Sequence, residues 1–144
     1  MVDIKFKAYD KKYDCIVEVV EISFETSSAL VEYVDEHDGD TIQEYRDFKD
    51  VELMQYTGQK DMDGTEIYNG YIIKRDDSDI SKCKNRLYIV ESKRSGIGDC
   101  VGFVFRSLGE YPCNENLFIP RLVDDCKVVG NVFENKELLK WKEK

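Results

Sequence analysis

The sequence predicts a mainly β fold, a small antiparallel β-barrel or meander with a short C-terminal helix. Apolar residues recur with a period of two along most of the chain, the spacing that places them on one face of a strand. Gly, Asn, Asp and Ser punctuate these stretches at short intervals, as hairpin turns require. Helical spacing appears only at the tail.

The elements follow in order. Ile4, Phe6 and Ala8 alternate with Lys5, Lys7 and Tyr9, a strand with one wet face, and Asp10-Lys11-Lys12 reads as a turn. Cys15 to Ile22 is rich in Val and Ile, a strand by propensity, and Ser27-Ser28 breaks it. Leu30 to Val34 alternates again, Asp38-Gly39 marks a hairpin turn, and Thr41 to Phe48 returns. Asp61-Met62-Asp63-Gly64 fits a type I turn with Gly in the left-handed position, and Asn69-Gly70 has tight-turn chemistry. Ile67, Ile72 and Ile73 supply core contacts around these turns, a layout similar to the turn that opens SH3-like barrels. Arg75–Asn85 is polar and reads as a loop, Arg86 to Ser92 as a strand, Ser95 to Asp99 as a turn and Cys100 to Arg106 as a strand. Ser107–Asn116 is a second loop, containing Pro112, which cannot donate to a ladder. Leu117 to Ile119 and Cys126 to Val132 complete the strands. The tail, about Lys136 to Lys142, reads as a helix with Asn135 as N-cap and Glu137 in its first turn. Leu138 and Trp141 share a face, and so short a helix needs docking, which makes Trp141 its anchor.

One segment is more specific than this general pattern. Leu53 to Lys74 carries Gln55-Tyr56-Thr57-Gly58, Asp61-Met62-Asp63-Gly64 and Ile67-Tyr68-Asn69-Gly70 in close succession. The opening run Ile4-Lys5-Phe6-Lys7-Ala8-Tyr9-Asp10 and the closing run Val128-Val129-Gly130-Asn131-Val132-Phe133-Glu134-Asn135-Lys136-Glu137-Leu138-Leu139 bracket it. In this order the three resemble the motifs of the YopX-like family of phage and prophage proteins. That resemblance implies a phage or prophage setting and carries no assigned reaction. Tyr9 stands where Trp is common in that family, Lys136 where Pro is, and Tyr71 where Asp usually follows Gly70. No role that relies on a carboxylate at Tyr71 is therefore carried over.

Composition bounds the function. A chain of 144 residues with 42% hydrophobic content suits a single domain, residues 1–144, with a real core. No apolar run approaches the roughly 18 residues of a membrane-spanning helix. The N-terminus lacks the basic-then-apolar layout of a signal peptide. A soluble, cytoplasmic protein is the expectation. The five cysteines, Cys15, Cys83, Cys100, Cys113 and Cys126, form no C-x-x-C pair and read as reduced, buried small hydrophobes. His37 lies in the acidic run Asp35-Glu36-His37-Asp38-Gly39-Asp40, and a solvated turn explains it better than a metal ligand. A net charge of −9 opposes phosphate binding, and Lys82, Lys84 and Arg86 lie near Asp76, Asp77 and Asp79.

The search for reaction chemistry yields no constellation. Gly96, Gly98 and Gly102 run into a strand, not into the helix that a phosphate cradle needs. A Ser or Cys nucleophile wants a base, and His37 is the lone histidine. Asp61-x-Asp63-Gly64 starts like a calcium loop, but that loop's Gly and Glu positions hold Glu66 and Ile72. No catalytic, cofactor-binding or metal residue is assigned. Tyr56 and Tyr68 suit either a binding surface or half-buried sheet positions, the latter by the aromatic preference for strands. Gly58, Gly64 and Gly70 read as backbone geometry. The expectation is a non-enzymatic protein-interaction or self-assembling module, with a protein partner or a homo-oligomer and no nucleic acid or membrane. The alternative is an acidic DNA mimic that blocks a host nucleic-acid enzyme, an imitation weakened by 21 interleaved basic residues.

Overall fold

The computed structural model describes residues 3–75, 86–94, 101–107, 117–118 and 126–140. The chain falls into two compact units, Met1–Tyr56 and Thr57–Lys144. The loops read at Arg75–Asn85 and Ser107–Asn116, the turn at Ser95 to Asp99, the anchor Trp141, and Cys83, Cys100 and Cys113 lie wholly or almost wholly outside the described residues.

The first unit holds β1 (Phe6–Asp10), β2 (Cys15–Ser23), β3 (Ser28–Val34), β4 (Thr41–Asp47) and the start of β5 (Val51–Lys60), with a 3₁₀ turn at Phe48–Asp50. Their order in the sheet is β4-β3-β2-β1-β5, and the described pairs are antiparallel. The alternation read from sequence holds. Ala8 faces Val17, Val19 faces Val31, and Ala29, Val31 and Val51 join them in one buried cluster. Cys15, Tyr33, Phe48 and Leu53 pack against it. The opposite face carries Lys7, Glu18, Glu32 and Gln43 in one row across β1 to β4. A bulge between Val19 and Glu21 interrupts β2.

This sheet must curl. Flat strands lie about 4.8 Å apart, so β4 and β5, separated by three strands, would stand about 19 Å apart. The chain from Asp47 to Val51 can span at most about 14 Å even when fully extended, and the 3₁₀ turn shortens it further. Phe48 N–H donates to Ser27 O at 2.9 Å and Lys11 N–H to Asp50 O at 3.0 Å, which draws the connection across the end of the sheet.

The second unit takes the remainder of β5, then β6 (Glu66–Tyr68), β7 (Tyr71–Arg75), β8 (Arg86–Arg94), β9 (Val101–Ser107), β10 (Leu117–Phe118) and β11 (Cys126–Asn131). The end of β5 lies beside β6, and the rest order as β10-β9-β8-β7-β11. Ile72 pairs with Ile89 and Ile73 with Tyr88, and Leu87 to Val90 are consecutively buried, as in a strand covered on both faces. Ile67, Ile72 and Ile73 are fully buried, as their places around the signature turns imply.

Two expectations are corrected. Among the described residues no closed barrel forms: the strands make open antiparallel sheets, and β4 pairs with β3 on one side and with no described strand on the other. Period-two patterning says which residues face the core; it does not say whether the last edge finds the first. Among the described residues the C-terminal α-helix is also absent. Lys136–Lys140 is a 3₁₀ turn, with Leu138 N–H donating to Asn135 O at 3.0 Å. Asn135 does not act as the helix cap, because its Oδ1 accepts the N–H of Asn131 at 3.1 Å. Gly130 leaves the space for this, since a Cβ there would meet Asn135 Oδ1 at 2.5 Å. No helix among the described residues is long and apolar enough to cross a membrane.

Gly64 and Gly70 hold φ of +82° and +91°, the left-handed region read for both turns. Open space surrounds the missing Cβ of Gly64, so only backbone conformation opposes a side chain there. Gly64→Ala and Gly70→Ala should each destabilise by roughly 1 kcal/mol or more. Urea unfolding midpoints unchanged in both variants would show that neither turn depends on glycine.

Candidate functional site

Among the described residues, ionisable and aromatic groups converge where β4 meets the β1–β2 turn. β1 ends at Asp10, whose side chain is 0% exposed on the core face. Its Oδ1 accepts the N–H of Lys12 at 3.0 Å, and its backbone O accepts the N–H of Asp14 at 2.8 Å, which builds the β1–β2 turn. Asp14 takes φ of +53° there. β4 presents Glu44 and Arg46 to the same face. Arg46 sits opposite Ala29, whose small side chain leaves the guanidinium a path inward.

Arg46 is only 8% exposed, and its Nε lies 3.3 and 3.2 Å from the two oxygens of Asp10. Nη1 donates to Tyr45 O at 3.1 Å. Nη2 meets Glu44 Oε2 at 2.6 Å, an ion-pair contact off the hydrogen-bond axis. The guanidinium also stands over the Tyr13 ring, 5.2 Å from its centroid, and Lys12 Nζ reaches the same ring at 5.3 Å. Tyr13 and Tyr33 pack as tilted rings 5.1 Å apart, with their hydroxyls 3.4 Å from each other. A phenol has one hydrogen to give, and Tyr33 gives it to Glu44 Oε1 at 2.8 Å.

The electrostatics follow from these contacts. The Tyr33 hydroxyl, then Arg46, holds the Glu44 carboxyl below its ordinary range despite partial desolvation. The Tyr13 hydroxyl, burial and the Glu44 carboxylate push the Tyr33 phenol well above its own. Burial alone would pull the Arg46 guanidinium down, but Glu44 and Asp10 outweigh it and leave it raised. Catalytic acids and bases are tuned toward the working pH. Here the acid and the phenol are driven apart from neutrality, so the cluster suits a fixed ion-pair lock better than proton transfer.

The residues singled out from sequence lie elsewhere. His37 is exposed on the β3–β4 turn, its backbone N–H on Asp35 Oδ1 at 2.9 Å. Among the described residues, no group of three His, Cys, Asp or Glu side chains could hold a metal. Cys15 is half-buried and Cys126 fully buried. Tyr56 and Tyr68 occupy buried sheet positions, with Lys5 Nζ 5.3 Å from the Tyr56 ring centroid. Asp61 is buried; its Oδ1 accepts the N–H groups of Asp63 and Thr65, each at 2.9 Å, and its Oδ2 that of Val128 at 2.9 Å. The sequence reading missed the Asp10–Arg46 cluster. Asp10 lies in the opening motif, but nothing in a linear pattern links it to an arginine 36 positions away.

Removing one partner of a buried pair leaves the other charged and unpaired. Arg46→Met should cost about 3–5 kcal/mol, and the Asp10→Asn/Arg46→Met double variant less than the sum of its singles. A loss under about 1 kcal/mol for Arg46→Met in urea unfolding would place the pair among surface ion pairs. The pH dependence has a defined sign. A depressed Glu44 contributes stability above its unfolded value of about 4.3, lost as pH falls through the folded one. A raised Tyr33 contributes below its unfolded value of about 10, lost as pH climbs beyond it. Glu44→Gln should therefore flatten the acid limb of the unfolding midpoint between about pH 5 and 2, and an acid limb identical to wild type would remove Glu44 from the account.

The fold and this geometry can be set beside known proteins. No curated protein matches the sequence. Among solved structures the chain is similar to the crystal structure of protein EF1440 from Enterococcus faecalis, with 22% identity and a TM-score of 0.63. That likeness covers 97% of this chain and 100% of the other, and at such identity it speaks for the fold alone. The family model described as YopX protein matches residues 5–140, a span that takes in the opening motif from Lys5 on, the central and closing motifs, and with them Asp10, Arg46, Asp61 and Asn131. The chain belongs to the YopX protein family.

Proposed function

We propose that this protein is a non-enzymatic interaction module of a phage or prophage, acting in the cytoplasm by binding a protein partner or its own copies. The observation that carries this reading is β4, an edge strand whose outer side forms no ladder with any described strand. Its Tyr45 is 65% exposed, an aromatic anchor of the kind that interfaces favour. Open strand edges are natural docking sites. The cluster of Asp10, Glu44, Arg46 and Tyr33 supports the same reading, because its carboxyl and phenol are held away from the range that proton transfer uses.

A second reading, an acidic imitation of DNA, draws on the net charge of −9 and on Glu18 facing Glu32 across β2 and β3. It is the weaker reading, because Lys7 and Gln43 cap that row at either end. Size-exclusion chromatography with light scattering should show self-association, or affinity capture from cells carrying the phage should retain a stoichiometric protein partner. A monomer that captures no protein and binds duplex DNA with the steep salt dependence of counterion release would overturn the proposal. Competition with DNA for a host nuclease would promote the second reading.

A further inference from the structure

We infer that the outward face of β2, β3 and β4 is a docking surface for a cationic amphipathic segment of a partner protein. This inference rests on the interaction reading and specifies its partner's chemistry. The face is read from the register. One row crosses the strands as Lys7, Glu18, Glu32 and Gln43, and the next as Glu21, Leu30 and Tyr45. Val34 lies two residues beyond Glu32 on the same side of β3, opposite Thr41. The rows stand about 6.7 Å apart, two residues along a strand, and neighbouring strands about 4.8 Å apart.

Two features of this face work against the stability of the free protein. Glu18 and Glu32 lie directly opposite each other, an arrangement that costs stability in a sheet. Each acid is only partly compensated, Glu18 by Lys7 Nζ at 3.3 Å and Glu32 by Gln43 Nε2 at 3.0 Å. Beside them Tyr45 is 65% and Val34 63% exposed, large apolar surface left in water. A partner that brings cations to the acid row and apolar side chains to the Leu30–Tyr45 row relieves both at once.

Charge selects among the candidate partners. The three acids Glu18, Glu21 and Glu32 oppose one base, Lys7, on these rows. A nucleic-acid backbone and an anionic membrane surface would both be repelled. A Lys- or Arg-bearing protein segment is attracted, and the exposed apolar positions distinguish an amphipathic segment from a purely basic one. Lys and Arg stems also cover apolar surface while their heads reach acids, which suits rows this close together.

The test uses the full chain and a fluorescently labelled helical Lys/Leu amphipathic peptide, with oligolysine of equal charge as the control ligand. Anisotropy titration should show the amphipathic peptide binding more tightly than oligolysine. Glu18→Gln/Glu32→Gln should weaken it about five- to tenfold, and Tyr45→Ser about tenfold. Asp38→Asn/Asp40→Asn, the same charge change on the exposed β3–β4 turn, should stay within about twofold. Removal of the opposed acids should leave the unfolding midpoint unchanged or higher, so lost binding cannot be lost fold. Equal weakening by both acid pairs, binding that survives Tyr45→Ser, or no preference over oligolysine overturns the proposal. If those failures occur while affinity capture still retains a partner or the protein self-associates, the surface is wrong and the interaction reading stands; if capture and self-association both fail, the interaction reading falls with it.

Discussion

The first unit depends on one ion pair that joins strands its backbone leaves unjoined. β4 and β5 approach because the three-residue 3₁₀ turn between them is too short for a flat sheet, yet no ladder hydrogen bonds connect them. Across that open seam Arg46 on β4 reaches Asp10 at the end of β1, where the sheet turns toward β5. The pair is buried, so its Coulomb energy is weakly screened and its loss is costly. It also fixes β4 in place. A slip of one residue would turn Arg46 to the outward face and leave Asp10 buried alone. Hydrophobic pattern alone would hold that register weakly, since β3 carries Ala29 and Val31 on one face but Leu30 and Val34 on the other.

The same device recurs in the second unit with neutral or singly charged partners. Asp61 gathers backbone N–H groups from its own turn and from Val128 on β11. Asn131 accepts the N–H groups of Phe133 and Glu134 on Oδ1 and donates from Nδ2 to Glu134. Asp10, Asp61 and Asn131 fall one in each of the opening, central and closing motifs, and all are buried. Buried polar groups without partners are costly, so each fixes its neighbours' geometry closely. Each of the three motifs thus contributes one buried polar side chain that holds a turn.

Much of this fold was legible in the sequence because strands impose a side-chain period. Ala8, Val17 and Val31 lie where alternation places them, and Ile67, Ile72 and Ile73 are buried around their turns. Gly64 and Gly70 were legible because a positive φ has few alternatives to glycine. β5 was harder to read: Met54 and Tyr56 are buried on one side, Leu53 packs on the other, and Gly58 at φ +86° interrupts the pattern. Sheet closure, the Arg46–Asp10 contact and the diversion of the Asn135 side chain to Asn131 were not legible. Each depends on where distant or competing groups arrive in space, and residue order does not carry that. The outward acid rows were visible only as net charge until the register set Glu18 against Glu32.

The Asp61 anchor has a kinetic consequence. Its bond to Val128 and the neighbouring bond from Met62 N–H to Cys126 O join residues more than sixty positions apart, on either side of β6 to β10. Closing so long a loop has an entropic cost that is met before the contact returns anything. These bonds therefore form late, once the intervening strands have paired. Weakening them should speed unfolding far more than it slows folding, which makes the Asp61 turn a determinant of how long the folded second unit lasts.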